Sequence, residues 1–244
     1  MAGNGVKSMA DNDGEFAVQL SAAAHNAQLP AVLSQKIQAV LARNPAFIDD
    51  MRVCLAEDRH LRELVDKRHP LSSNFVPAGL VTLTDGPYRV SRAGLTLRGD
   101  AADSLSEMAL AARADGIILT ASSAYRSYDY QEQVYNRIAR EMGQEAADRE
   151  SARPGFSQHQ TGLVIDFGSI DDLFALSDEG RWMADNASRF GWSLSFPDGY
   201  EAVTGYRWES WHFRYVGKNL AAFIDNYFEG IQQYALQFLH EMDK

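Results

Sequence analysis

The chain has 244 residues, 45% of them hydrophobic, and a formal net charge of -10. That length and apolar content support one sizeable core and exclude wholesale disorder, and no apolar run approaches the ~20 residues that span a bilayer. The acidic balance argues against nucleic acid, whose phosphates call for a basic face, but leaves room for local basic pockets.

In chain order, Met1 to Glu15 is rich in Gly, Asn and Asp and is expected to be flexible; it lacks the apolar core of a signal peptide. Ala31 to Arg43 reads as an amphipathic helix, with Leu33, Ile37, Val40 and Leu41 on one face and Pro30 and Asn44-Pro45 as boundaries. Ala46 to Glu57 and Arg59 to Asp66 continue the helical pattern. The lone cysteine, Cys54, excludes an internal disulfide and falls in the apolar pattern of Phe47, Met51 and Leu55, so it reads as a small buried hydrophobe. The expected organisation is a flexible segment over 1–15, a helical extension over 16–66, and the chemistry-bearing domain over 67–244 with a C-terminal helix.

Leu80 to Leu83 and Tyr88 to Val90 are short strand candidates. Ala101 to Ala114 is helical, and Gly116 is placed to stop it. Ile117 to Ser123 reads as a buried strand. Tyr128 to Met142 follows as a helix capped by Ser127, with Asp129 at its positive end. Leu163 to Phe167 is a strand whose alternation sets Leu163, Ile165 and Phe167 against Val164 and Asp166. Asp178 to Phe190 is a helix capped by Ser177 and stopped by Gly191, and Trp192 to Phe196 is a strand. Trp211 to Val216 is a strand that separates Trp211, Phe213 and Tyr215 from His212, Arg214 and Val216. Leu220 to Met242 reads as one terminal helix. Helices first, then short strands irregularly interleaved with helices, predict an α+β fold with a small, mostly antiparallel sheet flanked by helices.

Asp166 sits inside a strand between Ile165 and Phe167, where a carboxylate is costly unless paired or bound to metal. His159 lies before that strand, and a turn at Gly162 could bring it back towards Asp166. His212 is a polar residue among strand aromatics. Two imidazoles and a carboxylate suit Zn²⁺ with one position left open, and Glu209, three residues before His212, could serve as a base beside it. Taken singly, each has an ordinary structural reading, as a core histidine or a buried ion pair, and the H-E-x-x-H helix signature is absent. His25, His60, His69 and His240 lack partners at ligand spacing and read as structural or surface residues.

Together, however, Ser157, His159, Gly162 and Asp166, followed by Glu209, Trp211 and His212, resemble the S-x-H-x-x-G-x-x-x-D and E-x-W-H motifs of the VanY-type D-alanyl-D-alanine carboxypeptidases. That group also holds VanX-type dipeptidases and the hedgehog signalling domain. The resemblance extends to Leu64-Val65-Asp66-Lys67, His69-Pro70-Leu71, Tyr125-Arg126-Ser127 with Tyr130-Gln131, and His212 to Gly217. It implies a zinc centre held by His159, Asp166 and His212, with Glu209 as the base that activates water. It implies Arg126 as the partner of the substrate carboxylate or the developing oxyanion, with Gln131 and Ser157 as hydrogen-bonding groups beside it. The implied substrates are peptidoglycan stem peptides, cut either as a D,D-carboxypeptidase or as an L,D-carboxypeptidase, in a periplasmic or extracytoplasmic setting. A non-catalytic peptidoglycan-binding or signalling domain on the same fold is the third reading; Glu209 with a full ligand set favours the enzyme. One departure stands at Ser210, where family members often have a proline that would stiffen the approach to His212.

Overall fold

The computed structural model describes residues 9–27 and 29–244. Residues 1–8 of the stretch expected to be flexible lie outside the described residues, and helical structure begins at Met9. The first helix, α1 (Met9–Asn26), is followed by α2 (Ala31–Arg43) and α3 (Pro45–Ala56). Asn44 caps α3 through its side chain, and Pro45 fills the first position, where a missing N–H costs nothing. The helical pattern expected through Asp66 shrinks to a 3₁₀ turn at Arg59–Arg62, because Glu63, at φ -57° and ψ 121°, has left helical geometry.

Two strands, β1 (Leu80–Thr82) and β3 (Thr96–Arg98), form a small antiparallel ribbon, and β2 (Arg89–Val90) lies between them in sequence. Helix α4 (Gly99–Ala114) ends as expected. Gly116 takes φ 81°, and Ile117 N–H returns to the Ala112 carbonyl, which satisfies the last turn. Strand β4 begins only at Thr120 and runs to Ser123.

Helices α5 (Tyr128–Met142) and α6 (Gln144–Glu150) follow, with the Ser127 hydroxyl accepting from Tyr130 N–H as the sequence predicts. Next come β5 (Val164–Phe167), α7 (Asp178–Asn186), β6 (Trp192–Leu194), α8 (Glu201–Thr204) and β7 (His212–Tyr215). The helix expected to reach Phe190 tightens into a 3₁₀ turn at Ala187–Phe190 and stops at Gly191. There φ is 85°, and a Cβ would stand 2.7 Å from Gly217 C.

The expected terminal helix is two helices, α9 (Lys218–Tyr227) and α10 (Gln232–Met242). The break lies at Glu229 and Gly230, both at positive φ. Gly230 N–H closes back on the Ile224 carbonyl, so the chain reverses while Phe228 and Ile231 stay buried. Helical periodicity runs across this break without registering it.

The main sheet has the order β2-β4-β5-β7-β6, with β2 parallel to β4 and every other pair antiparallel. Its fold class is therefore the α+β arrangement that the element order predicts. One face carries Ile165, Phe167, Phe213 and Trp192 against Leu105 and Met108 of α4 and Met183 of α7. A second core joins α1–α3 to α9 and α10 through Leu20, Ile37, Phe47, Met51, Phe223 and Phe238. Each such side chain contributes about 1.5–3 kcal/mol on burial. Cys54 belongs to this core, where burial pushes its thiol up to about 12, in keeping with an inert packing role.

Glu179 gives the fold a measurable pH signature. It stands in the first turn of α7, accepts from Thr120 N–H at 2.7 Å, and is pushed by burial up to about 7. The folded state holds this proton more tightly than the unfolded state. Its stabilising contribution is thus complete below about 4.5 and is lost as pH rises to about 7. Glu179→Gln keeps an acceptor for Thr120 but cannot ionise. Urea unfolding from pH 4.5 to 8 should show the wild type losing on the order of 2 kcal/mol relative to this variant. Parallel stability curves would contradict the buried carboxyl.

Candidate active site

Backbone pairing across the middle of the sheet brings the first two groups together. Asp166 of β5 is the cross-strand partner of His212 of β7, and also pairs with Ser123 of β4 beyond a bulge between Ala121 and Ser123. Directly opposed residues on one face of an antiparallel pair have Cβ atoms within about 5.5 Å. Asp166 Oδ1 lies 3.1 Å from His212 Nδ1.

His159 arrives from a 3₁₀ turn at Gln158–Thr161, whose start is capped by Ser157 accepting from His159 N–H. Gly162 ends the turn at φ 71°, and a Cβ there would stand 2.9 Å from Pro77 Cγ and 3.0 Å from Leu80 Cδ2. Both the left-handed conformation and the close approach exclude larger residues. The return places His159 Nε2 3.2 Å from Asp166 Oδ2 and its ring 4.9 Å from that of His212. His159 Nδ1 lies 2.7 Å from the Ala124 carbonyl. A carbonyl only accepts, so Nδ1 carries the proton and the Nε2 lone pair faces the cluster.

Ligand atoms of His159, Asp166 and His212 lie within 4.8 Å of one another, and all three residues are buried. Neither Asp166 Oδ1 nor His212 Nε2 has a hydrogen-bond partner. Together with His159 Nε2, these two unpartnered atoms form a donor set of two imidazoles and a carboxylate, which fits a borderline-soft divalent ion such as Zn²⁺.

Charge in this cluster is balanced internally. Burial disfavours an ionised Asp166, but His159 and His212 outweigh it and hold the carboxyl well below its usual range. Burial also opposes protonation of His212, yet Asp166 and Glu209 prevail and push it up to about 9. Burial, reinforced by the nearby Arg126 guanidinium, lowers His159 to about 4. Glu209 Oε2 lies 3.2 Å from His212 Nδ1.

Arg126 completes the group. Its Nη2 donates to Asp166 Oδ2 at 2.9 Å and lies 2.7 Å from His159 Nε2, so one cationic nitrogen already bridges two of the candidate ligand atoms. Its Nε donates to Ser123 Oγ and its Nη1 to Gln131 Oε1. Gln131 is fully buried, and its amide donates to Ser151 Oγ and the Ala152 carbonyl. Gln131 thus holds Arg126 in place, and Ser157 caps the turn that carries His159; both also line the cavity.

That cavity, about 350 Å³, opens above the cluster and is walled by Phe156, Phe196, Tyr206 and Trp211 as well as the polar groups. The sequence reading singled out the segment from Ser123 to Ser127 but gave no role to the Ala124 carbonyl or to Ser123. A backbone oxygen leaves no trace in a sequence, whereas Ser123 carried a weak signal as a polar residue ending a buried strand. Ser210 is buried with its hydroxyl unpartnered. The other histidines lie elsewhere: His69 pairs with Asp66 at 2.8 Å and its ring is 4.9 Å from His240.

The chain is similar to several known proteins. The putative carboxypeptidase YodJ of Bacillus subtilis (strain 168) is 34% identical over 184 residues, covering 70% of this chain and 67% of its own. The chain spans about half the length of the enterococcal D-alanyl-D-alanine carboxypeptidases that it also matches. Among solved structures, the LdcB LD-carboxypeptidase superposes with a TM-score of 0.62 at 36% identity, covering 69% of this chain and 85% of the other. A vancomycin-resistance D,D-pentapeptidase, VanY, solved in complex with Zn(II), superposes at 0.59 with 28% identity, covering 70% and 96%. The VanY family model, described as D-alanyl-D-alanine carboxypeptidase, matches residues 94–218, the stretch that carries every residue of the cluster. The chain therefore belongs to the VanY family.

Proposed function

We propose that this protein is a zinc-dependent D,D-carboxypeptidase that removes the terminal D-alanine from peptidoglycan stem peptides. The observation that carries this reading is the convergence of His159, Asp166 and His212 within 4.8 Å, with Glu209 and Arg126 beside them at the base of one cavity. His159, Asp166 and His212 would hold the metal. When bound, zinc supplies polarisation of the scissile carbonyl and lowers the pKa of water towards neutrality.

The chain's own residues do the rest. Glu209 accepts the proton of the attacking water and returns it to the leaving amine. Arg126 pairs through its planar fork with the carboxylate of the terminal residue, and that pairing limits the enzyme to peptides with a free C-terminus. Gln131 and Ser123 hold the guanidinium so that its direction is fixed before substrate arrives. Ser157 fixes the turn bearing His159, and the Ala124 carbonyl fixes that ring's tautomer. The aromatic walls exclude water and strengthen each of these charge interactions. The domain limits at 67–244 belong to the same proposal, with the helices before Asp66 as a supporting layer. A cell-wall substrate places the enzyme outside the cytoplasm.

The L,D-carboxypeptidase reading rests on a specific finding, the likeness to LdcB. Mass spectrometry separates the two. Zinc-loaded protein incubated with a pentapeptide stem ending in D-Ala-D-Ala should release one alanine, and faster than it shortens the tetrapeptide. Preference for the tetrapeptide moves the assignment to L,D cleavage. Amidating the pentapeptide's C-terminus leaves Arg126 without its anion and should lower kcat/KM by about 10-fold or more; equal rates on the free and amidated peptides would remove Arg126 from this role.

A further inference from the structure

The cavity is electrostatically divided. At the metal-binding end its carboxylates are Asp166 and Glu209, and both are engaged with the histidines. Its remaining carboxylate, Glu150, is bound by Arg207. Arg92 and Arg137 also line the cavity, and neither is paired with any of these carboxylates.

Arg92 follows β2. Its neighbour Ser91 is tied to the end of β4 through bonds to the Ala121 and Ser122 carbonyls. Arg137 projects from α5 two turns beyond Tyr130, and residues seven apart share a helix face. Between them stands the Tyr130 phenol. The neighbouring Arg92 guanidinium, with the charges of Arg126 and Arg137, lowers its pKa.

What sets these arginines apart is the absence of a counter-charge. Arg149, Arg153 and Arg207, which flank the same region, are all paired with Glu201, Asp148 and Glu150 respectively. Arg92 and Arg137 form no ion pair among the described residues, in a chain with 33 acidic and 23 basic side chains. Guanidinium groups left unpaired on a cleft wall of an acidic protein are poised for an anion supplied by the ligand. The cavity volume, about 350 Å³, leaves room beyond two terminal alanines.

We propose that Arg92 and Arg137 form a second carboxylate-binding subsite, which takes a free carboxylate on the stem peptide upstream of its two terminal alanines. This rests on the carboxypeptidase reading for the identity of the peptide. Two groups supply the chemistry in a stem peptide: the side-chain carboxylate of a diaminopimelate at the third residue, and the α-carboxylate of the γ-linked glutamate at the second. A lysine at the third residue would instead bring an ammonium against the two arginines. Where the diaminopimelate carboxylate is the group bound, the subsite favours diacid stems over lysine stems; where the glutamate α-carboxylate is bound, it does not distinguish them.

The test uses three pentapeptides ending in D-Ala-D-Ala: the diaminopimelate stem, the same stem amidated at the diaminopimelate side chain, and the same stem amidated at the glutamate α-carboxylate. Binding to wild-type protein is measured by calorimetry, alongside cleavage. One of the two amidations should weaken binding by about tenfold, and which one does so identifies the source. The Arg92→Gln/Arg137→Gln variant should bind all three peptides alike. Both side chains are exposed, so this variant should fold normally. The preference should also shrink as salt is raised from 0.05 to 0.5 M, because the groups lie at an open cleft wall. Equal binding of all three peptides by the wild type, or a preference that survives in the double variant, overturns the subsite. If all three are cut at equal rates, the subsite falls and the carboxypeptidase reading stands; if the binding preference holds but none is cut, the reverse applies.

Discussion

Glu209→Gln is expected to leave about one zinc bound per chain while lowering kcat by about 10²-fold or more. The amide is nearly isosteric with the carboxylate but cannot accept the proton of the attacking water, and loss of a positioned general base typically costs 10²–10⁴-fold. The position of Glu209 makes the test clean. Its backbone is held by the Phe196 carbonyl, and its own carbonyl accepts from His212 N–H, so the residue stays in place whichever side chain it carries. Its carboxylate contacts His212 but is not among the three grouped ligand atoms. Metal analysis and single-turnover kinetics on one preparation separate the two roles. Near-normal turnover would transfer the base to another group, and loss of zinc would make Glu209 a ligand.

Asp166→Ala, His159→Ala and His212→Ala should each reduce bound zinc from about one per chain to a small fraction, because three protein ligands leave no spare. Asp166→Ala should have a second effect that needs no metal. Asp166 accepts from Arg126 and lies within 3.2 Å of both histidines, so its removal strands buried positive charge. Breaking a buried charge cluster from one side costs about 3 kcal/mol or more. Urea unfolding of the metal-free proteins should therefore rank Asp166→Ala well below the wild type. Full zinc retention in all three variants would sink the metal assignment, and unchanged metal-free stability would show that Asp166 is not the charge that holds the cluster together.

Much of this was legible in the sequence because it rests on periodicity and on residues with narrow conformational preferences. Period-two alternation placed Asp166 on one face of β5 and His212 on one face of β7, since a strand cannot send neighbouring side chains the same way. Gly162 announced a left-handed turn, Ser127 a helix start and Gly116 a helix end, each from its own backbone or capping chemistry. Two findings went beyond the periodicity. The α9–α10 break at Glu229 and Gly230 has a glycine stop signal like that at Gly116, but the helical apolar pattern continues past it, and the reversal of the chain onto the second core shows that the stop is used. The retreat of β4 to Thr120 likewise reflects where a neighbouring strand is available, which a single segment does not encode.

The sequence by itself determined the residue types of the site, the faces on which Asp166 and His212 stand, and the α+β class. Those follow from local periodicity and from the cost of burying a charge without a partner. Tertiary structure alone decided the register that sets Asp166 against His212, the Ala124 carbonyl that fixes the His159 tautomer, and the bonds that aim Arg126. It alone left Arg92 and Arg137 lining the cavity unpaired with its carboxylates. Each of these joins segments far apart in the chain. Strand alternation fixes which way a side chain faces but not what it faces, and a backbone carbonyl or a missing counter-charge becomes visible only when distant segments have met.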